Sequence, residues 1–178
     1  LYAVTGDILH KKGEEQEAFA AYDSCLQWKD DNVMALNNYA YYLSEKGVDL
    51  HKAESMSYKT IKAEPNNGTY LDTYAWILFM EERYADAKTY IDQALKNRDS
   101  TADNSTVIEH AGDIYYMNGM ADESVDFWKK AYTGENQTEV LAWKIKNRQY
   151  ITEEELKKRN APKQKPAATK KSVRKGKN

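Results

Sequence analysis

Three histidines, one cysteine and 28 carboxylates are the residues of this 178-residue chain that could do metal, nucleophilic or acid–base chemistry. Their spacing argues against all three. His10, His51 and His110 are scattered along the chain, with no His-Glu-x-x-His pair, no cysteines at metal-ligand spacing and no glycine-rich phosphate loop. His110 stands beside Glu109 with Asp113 one turn on, but a metal site needs about four donors, and a solvated helix face is the expected role. A reactive Cys25 would need a nearby cation, and the sequence identifies none. A packed, inert thiol is therefore expected, and a single cysteine rules out an intrachain disulfide. No catalysis, cofactor, metal or small-molecule substrate is expected. What remains is the chemistry of recognition: Tyr41, Trp76, Phe79 and Tyr116 lie among asparagines, threonines and carboxylates, a mixture suited to holding an extended peptide or a partner helix.

The elements that must position these residues are helices. Residues 65–95, PNNGTYLDTYAWILFMEERYADAKTYIDQAL, read as a turn, a helix, a short polar turn and a second helix. Leu71, Tyr74, Ala75 and Leu78 share one stripe of the first helix, and Ala87, Ile91, Ala94 and Leu95 one stripe of the second. A lone hairpin of this kind cannot bury both stripes, so it needs like neighbours. The sequence supplies them. Gly13, Gly47 and Gly119 each separate two apolar helical stretches at intervals of 34 and 72, with Glu82 in the turn position between. Ala18, Ala53, Ala87 and Ser124 recur at intervals of 35, 34 and 37.

Helix–turn–helix units at a period near 34 resemble the tetratricopeptide repeat. The resemblance rests on small residues in each first helix (Gly6, Ala40, Ala75, Gly112), on the turn glycines, on the small residues above and on Pro65. It implies an all-α, right-handed solenoid with four repeats over 1–135, at about 1–32, 33–67, 68–105 and 106–135. Residues 136–160 are expected to cap the last repeat with a helix over 138–150 and a short one from about 153 to 159, opened by a Thr152–Glu155 capping box. Leu141, Ile145 and either Tyr150 or Trp143 are expected to face inward. Residues 161–178 are expected to be a disordered basic tail. The last repeats also resemble those of bacterial cell-envelope proteins with many such repeats, which favours an envelope location with the cytoplasm as the other reading; Leu1, inside a helical stretch, is expected to belong to a fragment of a longer protein.

In this family the first helices line a concave groove. Register then assigns Asn37, Asn38 and Tyr41 to it from the second repeat, Asp72, Thr73 and Trp76 from the third, and Glu109, His110, Asp113 and Tyr116 from the fourth. Asp7, His10, Ser44 and Phe79 extend the set. The family's clamp for a C-terminal carboxylate needs cations, and the matching positions are Ala3, Val4, Asn38, Thr69 and Thr73. Only the asparagine fits, and a buried carboxylate would stand unpaired, so the clamp is excluded. The implied function is a non-enzymatic scaffold that binds a protein or peptide partner. The carboxylates of the lining, with no Lys or Arg among those positions, favour a basic or neutral segment.

Charge divides the chain. Through Glu155 there are 16 basic and 28 acidic residues, a net of −12; after it come ten basic residues and no acid. The basic end suits a solubilising tail, with contact to nucleic acid or an anionic membrane as the other reading. It contains no aromatic residue on which a base could stack. The Asn67, Asn104 and Asn136 sequons match the glycosylation pattern but stand just before helical stretches, where capping is the expected role.

Overall fold

The computed structural model describes residues 2–161; the expected tail beyond Ala161 lies outside the described residues. Within them run ten helices: α1 (Tyr2–Lys11), α2 (Glu15–Trp28), α3 (Val33–Lys46), α4 (Leu50–Ala63), α5 (Gly68–Met80), α6 (Tyr84–Asn97), α7 (Ser105–Met117), α8 (Ala121–Ala131), α9 (Glu139–Asn147) and α10 (Glu153–Asn160). No strand occurs among these residues. The first eight pack as hairpins, α1 on α2, α3 on α4, α5 on α6 and α7 on α8, and each hairpin lies against the next.

Local chemistry sets the helix ends. Asn32 accepts from the amide of Ala35 at 3.0 Å, and Asn67 from those of Thr69 and Tyr70 at 3.0 and 3.2 Å. Each satisfies donors that a helix start leaves orphaned. Asn104 makes no such cap; Asp103 accepts from Ser105 instead. Thr138 caps α9, and Thr152 with Glu155 forms the capping box that opens α10. Inside the hairpins, Gly13, Gly47 and Gly119 turn the chain at φ of 78°, 65° and 79°. Glu82 holds the same left-handed backbone at 61°, a conformation that costs a residue with a Cβ about 1–2 kcal/mol. Asp49, just before α4, is also left-handed at φ 47°.

Packing inside the first and fourth hairpins matches a glycine to a large ring. The ring of Tyr22 lies so close to Gly6 that a Cβ there would be 2.8 Å from it, and Trp128 would be 2.4 Å from a Cβ on Gly112. In register, the equivalent first-helix positions are Ala40 and Ala75, and the equivalent second-helix positions are the smaller Ser57 and Ile91. Expected stripe residues Leu71, Tyr74, Ala75, Leu78, Ala87, Ile91 and Ala94 are buried; Leu95 is half-buried. Cys25 is buried, with the Asn32 amide 3.7 Å from its sulfur.

The C-terminal segment differs in one respect from the expected 138–150 helix. Arg148 adopts a left-handed conformation, φ 54°, and ends α9 at Asn147. Tyr150 therefore leaves from a loop rather than a helix face. That loop carries it back to the third hairpin, where its ring meets Phe79 edge-on at 5.7 Å. Leu141, Ile151 and Leu156 are buried, and α10 is tied to α9 by Arg159 over the Trp143 ring and by Asn160 bonded to Glu139.

Candidate protein-interaction groove

The first helices α3, α5 and α7 bring Tyr41, Trp76, Asp72 and His110 into one cluster. The imidazole of His110 stacks on the indole of Trp76 with centroids 4.1 Å apart and planes 14° from parallel. On its other side Trp76 stacks on Phe79 at 4.7 Å. Tyr41 stands 6.3 Å from the imidazole. His110 Nδ1 lies 2.9 and 3.1 Å from the two oxygens of Asp72. Burial pulls the imidazole pKa down, but the Asp72 carboxylate, with Asp113 and Glu109 behind it, outweighs this and holds it above the ordinary histidine value. Burial, with Glu45 and Asp72 nearby, pushes the Tyr41 phenol up, so it stays a neutral donor. Asp72, Thr73 and His110 are buried, whereas Tyr41 and Trp76 keep part of their rings in solvent.

Toward the N-terminal end, Asn38 donates to Asp7 at 2.9 Å and accepts from Asn37 at 3.2 Å. Tyr22 also donates to Asp7, and His10 stacks on Tyr42 at 3.5 Å. Toward the C-terminal end, Lys144 of α9 reaches into α7. Its ammonium lies 2.7 and 2.9 Å from Asp113 and 3.1 Å from Glu109. Trp128 donates its indole N–H to Asp113 at 2.8 Å. Lys144 is only 4% exposed. Burial alone would lower its pKa, but the two carboxylates outweigh burial and keep it above the ordinary lysine value. The Tyr150 ring lies over the same ammonium at 5.3 Å. Tyr116 leans toward Trp128, 5.8 Å away, in the apolar cluster under α9.

No protein-family model matches the chain. Over 66 residues it is 35% identical to the TPR repeat-containing protein PA4667 of Pseudomonas aeruginosa, a match covering 37% of this chain and 11% of that protein. The backbone superposes on P. aeruginosa PilF with a TM-score of 0.69, covering 83% of this chain and 65% of that one at 16% identity. It superposes on YrrB, described as a TPR protein with an unusual peptide-binding site, with a TM-score of 0.58, 83% and 74% coverage and 18% identity. It superposes on MamA at 0.62, covering 80% and 81% at 17% identity. The chain has the fold of a tetratricopeptide-repeat solenoid. The sequence match spans only about a tenth of its longer relative.

In this tetratricopeptide frame the ten expected lining residues fall into three groups. Asn37 and Asn38 join Asp7 at the α1–α3 side. Tyr41, Asp72, Thr73, Trp76 and His110 come from the middle of the array, four of them in the cluster around the imidazole and Thr73 buried beside Asp72 on α5. Glu109, Asp113 and Tyr116 face α9 and the residues that follow it. Lys144 and Tyr150 were not among the expected residues, because both lie beyond the repeat pattern. One signal for Lys144 existed: it sits three residues after Leu141 and one before Ile145, a lysine on the apolar stripe of an amphipathic helix.

Proposed function

We propose that this chain is a non-enzymatic scaffold whose concave groove binds an extended segment of a partner protein, four repeats supplying the groove and α9–α10 closing its end. Tetratricopeptide-repeat proteins generally mediate protein–protein interaction. The observation that carries the finer reading is the Phe79–Trp76–His110 stack flanked by Tyr41: Trp76 and Tyr41 are half-buried, and the buried Phe79 and His110 hold the Trp76 ring in place. Preorganised aromatics lose little freedom on binding and so make effective anchors. The carboxylates beside them are engaged by His110 and Lys144, which favours a neutral partner segment over a basic one.

The test is selection of binding peptides from a displayed random library, followed by calorimetry on Trp76→Ala. Trp76→Ala is expected to weaken the selected peptides about tenfold or more, as truncation of a central aromatic commonly does, while the fold persists. Peptides that bind the variant as they bind the parent would move the site off this face. A second reading, contact with nucleic acid or anionic lipid through the basic end, draws on the charge division of the sequence. Binding of that kind falls steeply with salt, and aromatic groove binding does not.

A further inference from the structure

The last hairpin and the capping helix leave a hollow between them. Arg148 after the end of α9 meets Asp122 at the start of α8, so the two helices run antiparallel. Lys129 and Tyr132 from one side, and Ala142, Ile145 and Lys146 from the other, line a hollow of about 310 Å³ that opens to solvent. Its floor is apolar: Ala142 and Ile145 are half-buried, and Ile145 packs on the cluster of Trp128 and Leu141. Tyr132 keeps 36% of its surface in solvent. Both lysines are exposed.

The charge of this hollow is one-sided. Lys144 and Lys146, two residues apart, leave α9 on opposite sides: Lys144 turns inward onto Asp113 and Glu109, and Lys146 is exposed. Exposed cations elsewhere are paired, Lys46 with Glu15, Arg83 with Glu54 and Lys158 with Glu154. Among the described residues, Lys129 and Lys146 form no ion pair or hydrogen bond. Asp122 is engaged by Arg148 and Glu139 by Asn160, while Asp126 pairs with neither lysine. The helix macrodipole favours a lysine in the last turn of each helix, but it does not account for an apolar hollow between the two. The hollow beside α4 differs, because Asp30 and Asp31 there stand with Lys59 and Lys62. Between α8 and α9 the lining carries positive charge alone.

We propose that the α8–α9 hollow is a second docking site, for an acidic segment of a partner protein. One large apolar side chain enters the hollow, and carboxylates on either side of it meet Lys129 and Lys146. An apolar centre with a charged, wet rim is the anatomy of a protein interface. The volume is at the low end for ligand pockets, which suits one or two side chains rather than a whole small molecule or an acyl chain. The net charge of −12 on residues 1–155 does not forbid an acidic partner, because salt screens charges beyond about 8 Å in physiological conditions. The lysines at the rim then set the local sign. This site is independent of the groove reading, since its lining shares no residue with the Trp76 cluster.

The test selects a displayed random peptide library on the full chain and sorts the binders by the variant that loses them. Lys129→Glu with Lys146→Glu reverses the rim, and Ala142→Gln fills the hollow without changing charge. One class of peptide, an apolar residue between acids, is expected to lose about tenfold to the reversal, to weaken on Ala142→Gln, and to bind Trp76→Ala as it binds the parent. Serine in place of its apolar residue is expected to weaken binding to the parent about tenfold and to have little effect on Ala142→Gln. Both lysines are exposed, so the reversal and the serine exchange decide the matter even if Ala142→Gln fails to fold. Acidic peptides indifferent to the reversal and to the serine exchange are held by the basic end of the chain. A library that yields only those, or only peptides lost to Trp76→Ala, overturns this inference, and the second result leaves the groove reading standing. Self-association in sedimentation that the reversal abolishes makes the occupant a second copy and overturns the partner assignment.

Discussion

Lys144→Met removes one ammonium from the end of the solenoid and leaves two carboxylates behind. The side chains of Lys144 and Asp113 are each 4% exposed and that of Glu109 18%, so water does little to replace the lost cation. At about 3 Å, one pair of unit charges in an effective dielectric of about 20 attracts by roughly 5 kcal/mol. Much of that offsets the desolvation of the ions. The net effect of breaking a buried pair by removing one member is about 3–5 kcal/mol. For a domain of this size, 1 kcal/mol corresponds to about 2–4 °C in melting temperature, so a fall of roughly 6–20 °C is expected by calorimetry at neutral pH. The pairing can be isolated with a second substitution. Lys144→Met combined with Asp113→Asn, which keeps an acceptor for the Trp128 N–H, should recover a large part of the loss. A single variant within about 2 °C of the parent would refute the claim that this ion pair is dry and that α9 is fastened through it.

Two further changes probe the same frame. Gly112→Ala places a Cβ about where Trp128 already lies, 2.4 Å from its Cδ1; overpacking of this kind costs about 1–3 kcal/mol, to be read by urea denaturation. Raising the pH should weaken the His110–Asp72 contact. The folded-state pKa of His110 is raised, so its contribution is fully present below the unfolded value of about 6.5 and is lost as pH climbs through the higher folded value. Asp72, Asp113, Glu109 and Tyr41 all face that ring. The stability difference between the parent and His110→Gln should therefore shrink from mildly acidic to mildly alkaline pH, and a difference that stays flat or grows would refute the assignment.

The sequence by itself determined the hairpins. A 3.6-residue apolar period, glycines where the backbone must turn left-handed, and a small residue facing each crowded helix contact are local requirements, and a local requirement is visible wherever the residue stands. Even Glu82, a non-glycine in a glycine's place, was legible from the spacing on either side. The caps at Asn32, Asn67, Thr138 and the Thr152–Glu155 box belong to the same class, because each satisfies an amide two or three residues away.

Charge pairing on the first helices was decided by tertiary structure. Asp72 meets His110 across 38 residues and Asp113 meets Lys144 across 31. Read along the chain, those carboxylates looked like an uncompensated acidic lining. Their partners come from the next unit or from α9, at a distance that no helical period reports. Tyr150 is a similar case: the left-handed Arg148 ends α9 early, and only the resulting path of the loop puts the ring against Phe79. The orientation of Asn37 is also a tertiary fact. Its residue type could serve as donor or acceptor, and the choice is made by a carboxylate on α1, 30 positions earlier in the chain, which fixes Asn38 and through it Asn37. Periodicity places a side chain on a face; which atoms remain for a partner depends on what the neighbouring units have already engaged.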